Sequence, residues 1–75
     1  MQPDKELDTS GLSCPLPILK TKKALADMLS GQVLKVVATD PGSSRDFQAF
    51  ARQTGHELVG QETVNDHFVH WLRRR

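Results

Sequence analysis

Val33-Leu34-Lys35-Val36-Val37-Ala38 is the stretch that most limits what this chain can fold into. It is short, rich in β-branched residues and bounded by turn signals, the pattern of a buried strand. Lys35 marks the outward side, so Leu34, Val36 and Ala38 are expected to face a core. Helical periodicity flanks the run on both sides. Upstream, a helix is expected from Pro15 to about Leu29. Ile18, Leu25, Met28 and Leu29 fall on one face, Leu19 or Ala24 at its edges, and Lys20, Lys22 and Lys23 toward water. Gly31 follows as a stop. Downstream, Thr39-Asp40-Pro41-Gly42 reads as a turn. Ser43 or Ser44 is expected to cap a second helix, with Asp46 early in it to complement the helix dipole. Phe47, Phe50, Ala51 and Thr54 make its buried stripe, and Gly55 ends it.

Shorter segments complete the pattern. Lys5-Glu6-Leu7-Asp8 is a weak strand signal with Leu7 as its inward candidate. Strand, helix and strand of these lengths suggest a right-handed parallel crossover. His56 to about Thr63 reads as a third strand, weakened by Gly60. Asn65-Asp66 is a turn, and His67 to Leu72 a fourth strand paired with the third as a hairpin. Phe68, His70 and Leu72 alternate there with Val69 and Trp71; if the first set faces the helices, Trp71 lies on the open side. The order is βαβαββ. Two helices suffice to cover one sheet face, so the expected fold is α+β, a two-layer sandwich of a four-stranded mixed sheet with both helices on one face. The 75 residues make one domain, with residues 1–3 and 74–75 as loose ends. A chain this short buries only about 60–65% of its unfolded surface.

Composition removes several classes of function. Apolar content of 37% with 25% charged residues fits a globule and argues against disorder. Ten basic against nine acidic residues is too even to imply a nucleic-acid or membrane partner from charge alone. No apolar run reaches the ~20 residues that span a bilayer. The opening Met1-Gln2-Pro3-Asp4-Lys5-Glu6 lacks the basic start and apolar stretch of a signal peptide. One cysteine cannot form an internal disulfide, so a cytoplasmic setting with a reduced thiol is expected.

That cysteine lies in Gly11-Leu12-Ser13-Cys14-Pro15-Leu16-Pro17. Proline is welcome at the first helical position, whose N–H has no intrahelical partner. With Pro15 there, Cys14 is expected as the cap, close to the free N–H groups of Leu16 and Ile18. The positive end of the helix dipole would then favour thiolate over thiol. Pro17 discourages the helical conformation at Leu16, so a stiff, slightly irregular first turn is expected. Gly11 supplies backbone freedom three residues earlier. The plainer reading is a small buried hydrophobe. Buried cysteines, however, usually sit within strands or mid-helix.

The absence of a second cysteine argues against dithiol chemistry. His56, His67 and His70 are far from Cys14 in sequence, and the last two point to opposite faces of a strand. Neither a metal nor another cofactor is expected. In a βαβαβ arrangement both helix starts emerge at one end of the sheet. Arg45 and Asp46 therefore either shape the surroundings of Cys14 or form a solvated first turn. Lys20, Lys22, Lys23 and Arg73 to Arg75 either steer an acidic partner or are simply a wet face.

Leu7-Asp8, Gly11, Cys14-Pro15-x-Pro17, Asp40-Pro41, Asp46 and Gly55-His56-Glu57-Leu58 together resemble the TusA (SirA-like) family of sulfur carriers, over Leu7 to Arg73. Phe47-Gln48 departs from the aliphatic residue and proline that many members carry there. The resemblance implies sheet order 1-2-4-3, with the last strand antiparallel to the others. It maps the functional cysteine onto Cys14. Gly11, Pro15, Pro17, Asp40, Arg45 and Asp46 are the candidate supporting residues around it. It implies a persulfide received from a cysteine desulfurase and relayed to an acceptor sulfurtransferase or cofactor-maturation protein. Acceptor routes in the family include 2-thiouridine formation in tRNA, molybdenum cofactor biosynthesis and sulfur oxidation. A monomer with no membrane or direct nucleic-acid contact is expected. The rival readings are a non-catalytic interaction or regulatory module of the same fold and an RNA-binding domain using the basic tail.

Overall fold

A computed structural model describes residues 2–75. The elements are β1 (Lys5–Thr9), α1 (Leu16–Ala26), β2 (Val33–Ala38), α2 (Ser43–Thr54), β3 (Glu57–Val64) and β4 (His67–Arg73). The sheet order is β1-β2-β4-β3. β1 and β2 run parallel, and β4 runs antiparallel to both β2 and β3. The expected architecture and strand order are therefore those observed. Asn65 and Asp66 both take positive φ, 47° and 66°. That is the backbone a two-residue hairpin needs if its twist is to match the strands it joins.

The alternation in β2 decides where the core lies. Leu34, Val36 and Ala38 are fully buried and turn toward the helices, as does Leu72 of β4. Phe47, Phe50 and Ala51 of α2 and Ala24 and Leu25 of α1 close the same core. The opposite sheet face carries Lys35 and Trp71, directly paired across β2 and β4.

Helix α1 turns Ile18, Ala24 and Leu25 to the core as expected, with Met28 just past it, and departs from expectation at its end. It stops at Ala26. Asp27 and Met28 donate to the carbonyls three residues back, Ala24 and Leu25, at 3.2 and 3.1 Å. Such bonds tighten and terminate a last turn. The Gln32 carboxamide oxygen then accepts the Leu29 N–H at 2.8 Å. Leu29 thus leaves the helical register and is 71% exposed, while Met28 stays buried. The helix buries Pro17, Thr21, Ala24 and Leu25, whereas Leu19 is exposed. Thr21 sits mid-stripe, so a search for apolar spacing passes over it.

Helix α2 starts one residue earlier than the serine signal suggests. Gly42 is the cap, and no side chain caps it in the usual way. Asp40 serves instead: its main-chain oxygen accepts the Ser43 N–H at 3.0 Å and its Oδ1 the Gly42 N–H at 3.2 Å. The helix ends at Gly55 in the left-handed region, φ 83°, as expected. In β3 the register shifts between Leu58 and Gly60. This is a bulge next to the residue expected to weaken the strand. Arg74 is anchored at the other end, exchanging backbone hydrogen bonds with Gly31 and Gln32.

Gly11 has φ 80°, and nothing lies within 4 Å of where a Cβ would sit. Its N–H donates to Thr39 Oγ1 at 2.8 Å. Gly11→Ala is therefore expected to cost about 1–2 kcal/mol through backbone strain alone. Urea unfolding of the variant measures this; an unchanged midpoint would mean the loop relaxes freely.

Candidate functional site

The parallel pairing of β1 with β2 sets Thr9 opposite Ala38. The loops that follow these strands therefore leave the sheet side by side. One leads to Cys14 and α1, the other to Asp40 and α2. Thr9 is buried and locks the junction by donating its hydroxyl to the Val37 carbonyl at 2.7 Å. Across the two loops, the Cys14 N–H donates to Asp40 Oδ2 at 3.0 Å. The Cys14 side chain is exposed. The buried-hydrophobe reading of this residue is thereby excluded.

The helix start differs in detail from the expectation. Pro15, with φ −98° and ψ 13°, is the cap, and Pro17 lies buried in the first turn. Cys14 thus lies outside the helix, one residue before its cap. The Leu16 N–H, expected to be free beside the sulfur, donates to the Ser13 carbonyl at 2.9 Å.

The electrostatics also reverse. A hydrogen bond to Asp46 pushes the Cys14 thiol above its ordinary pKa, and desolvation and the charges of Asp46 and Asp40 add to this. Two full negative charges outweigh the partial positive charge of a helix end, which fades beyond the first turn. These groups push Cys14 toward the protonated form, against the expected bias toward thiolate. Asp46→Asn is accordingly expected to lower the thiol pKa and to speed alkylation by iodoacetamide near neutral pH. Slower or unchanged alkylation would contradict this electrostatic account.

Of the supporting residues, Asp40 and Asp46 converge on Cys14. Gly11 joins them through Thr39, and Pro15 and Pro17 build the turn. Arg45 is exposed and lines an open cleft with Pro41, Gly42, Ser44, Asp46 and Gln48, so nothing ties it to the sulfur. His56 stacks on Phe50 with ring centroids 5.9 Å apart, and its Nδ1 accepts the Arg75 N–H. His67 is exposed, while His70 is buried on the other sheet face. Among the described residues no group of histidine, cysteine and carboxylate side chains could hold a metal ion. No helix among them is long and apolar enough to cross a membrane.

The charged patches are partly spoken for. Arg73 pairs with Glu57 at 2.9 Å, and Arg74 Nε donates to the Leu25 carbonyl at 2.7 Å. Trp71 lies on the open face, its indole donating to Glu62 at 3.4 Å with Lys35 Nζ 5.5 Å from the ring.

One part of the surroundings was missed. Ser43, read as a cap, is buried, and its hydroxyl lies 3.0 Å from Nε2 of the fully buried His70. The inward alternation of β4 placed His70 in the core but did not supply its partners.

Fold and site together define a small two-layer α+β domain that presents a single thiol where the first helix begins. The family described as Sulfurtransferase TusA matches residues 5–74, and the chain belongs to that family. It is 58% identical over 72 residues to a protein of Allochromatium vinosum named sulfur carrier protein TusA, covering 96% of this chain and 93% of that one. It is 64% identical over 53 residues to a putative sulfur carrier protein of Neisseria meningitidis, covering 71% and 72%. The crystal structure of a SirA-like protein from Desulfitobacterium hafniense is similar, with TM-score 0.80 and 27% identity. That match covers 92% of this chain and 95% of that one.

Proposed function

We propose that this protein is a sulfur carrier in which Cys14 holds the sulfur as a persulfide. The Cys14 thiolate attacks the outer sulfur of a donor persulfide. One S–S bond forms on Cys14 as the donor's S–S bond breaks, and the donor leaves as thiolate. The exchange is redox-neutral, and its reverse logic unloads the sulfur onto an acceptor's cysteine. The donor class is a cysteine desulfurase. The acceptor is a sulfurtransferase or cofactor-maturation protein of a tRNA-thiolation, molybdenum-cofactor or related route, working in the cytoplasm.

The observation that supports this reading best is the isolation of an exposed thiol in a chain with no second cysteine. A neighbouring thiol would resolve the persulfide into a disulfide and release the cargo. The acidic surroundings suit a carrier that is idle until docked. Asp40 and Asp46 raise the pKa of the thiol, and a partner's cation set beside them would cancel that field and favour release of the proton to solvent. The test is incubation with a cysteine desulfurase and free cysteine, followed by intact mass measurement. A gain of one sulfur, removed by a reducing thiol, is expected. An unchanged mass with several desulfurases would overturn the proposal.

A further inference from the structure

Beneath the acidic loop lies a hydrogen-bonded chain whose direction can be deduced. The Ser44 carbonyl can only accept, so the Gln61 group 2.9 Å from it is the amide nitrogen. That nitrogen also lies 3.1 Å from His70 Nδ1, and Gln48 donates to the Gln61 oxygen at 3.0 Å. His70 Nδ1 is therefore an acceptor, and the ring proton sits on Nε2. Nε2–H donates to Ser43 Oγ at 3.0 Å. Ser43 N–H donates to the Asp40 main-chain oxygen, and Asp40 Oδ2 accepts the Cys14 N–H. An unbroken line thus runs from β3 and β4 through the first residue of α2 to the backbone of the cysteine. Phe47 stacks on the His70 ring at 4.3 Å between centroids and 15° between planes, which holds the ring in register. The groups against the ring, namely Ser43 and Phe47 of α2 and Gln61 of β3, are all uncharged.

We propose that His70 is a positioning residue for Cys14: through Ser43 it fixes the segment that carries Asp40, which holds the Cys14 N–H, and Asp46. This deepens the carrier reading and rests on it for its purpose, though not for its test. Ser43 is the first residue of α2, and Asp46 follows within the same turn. Loss of the Oγ contact frees that turn to shift away from Cys14. A stacked, fully buried imidazole with both nitrogens satisfied is a rigid anchor at a site where a loop alone would wander.

The test titrates the Cys14 thiol by its ultraviolet thiolate absorbance and by the pH dependence of iodoacetamide alkylation in Ser43→Ala, Ser43→Thr and His70→Leu. Ser43→Ala removes the hydroxyl with little change of volume, whereas Ser43→Thr keeps it. The thiol pKa is expected to fall in Ser43→Ala and His70→Leu, with alkylation near neutral pH faster by at least about twofold. Ser43→Thr is expected to restore wild-type behaviour. If His70→Leu does not fold, Ser43→Ala decides. A folded Ser43→Ala variant whose thiol titrates like wild type, even if less stable, would overturn the proposal. Neither probe contains a sulfur donor. A failure of persulfide loading would therefore leave this result standing, and an unshifted titration would leave the carrier reading standing.

Discussion

Serine in place of Cys14 is expected to leave the chain folded and to abolish its uptake of sulfur. The expected mass gain of one sulfur after incubation with desulfurase and cysteine falls to nothing. The far-ultraviolet circular dichroism and the unfolding midpoint stay close to wild type. The physical reason for the second half is that the Cys14 side chain is exposed and packs in no core cluster. Its structural contact is made by its backbone N–H to Asp40, which serine keeps. Surface substitutions away from buried networks usually fall within about 0.5 kcal/mol. Complete loss is expected for the chemistry because the chain has no second thiol. Residual sulfur loading in the serine variant would refute the assignment to Cys14. Intact partner binding and phenotype together with lost loading would favour the interaction-module reading.

The second large effect is on stability in mild acid. Burial lowers the pKa of His70 from 6.5 to about 4 in the folded chain. Between those values the unfolded chain binds the proton and the folded chain does not, so stability rises with pH. The contribution is complete above about pH 6.5 and is lost progressively down to about pH 4. Its size is on the order of 3 kcal/mol, a large share for a small domain. Protonation at Nδ1 would also set a donor against the Gln61 amide donor. His56 works in the same direction, its pKa lowered by burial and then by Arg75 and Arg74. Urea unfolding at neutral pH and at about pH 4 measures the sum. A non-titrating His70→Gln variant isolates the share of His70. If the variant and wild type lose equal stability over that interval, His70 is not the group responsible.

Much of the fold was legible because short-range rules produce it. The β-branched run of β2, the glycine closing α2 and the Asn65-Asp66 hairpin each report a local backbone preference. They fell where expected. Where expectation failed, a polar group had taken an unexpected role. Thr21 and Ser43 are buried, so apolar spacing passed over one residue of α1's inner face and capping chemistry misplaced the start of α2. The end of α1 depended on Gln32 reaching back to the Leu29 N–H, a contact no periodicity contains.

From the order of residues alone came the six elements and the presence of one lone thiol beside a proline-bounded helix start. Each follows from preferences acting over a few neighbours. Tertiary structure decided the charge that thiol meets. Asp40 lies 26 residues from Cys14 and reaches it only because parallel pairing of β1 and β2 brings their following loops together. α2 then delivers Asp46 to the sulfur, and His70 holds the start of that helix in place. The helix dipole, a local feature, favours the thiolate, and the carboxylates that the fold gathers oppose it. Through-space fields add over all charges that the fold gathers, however far apart they stand along the chain.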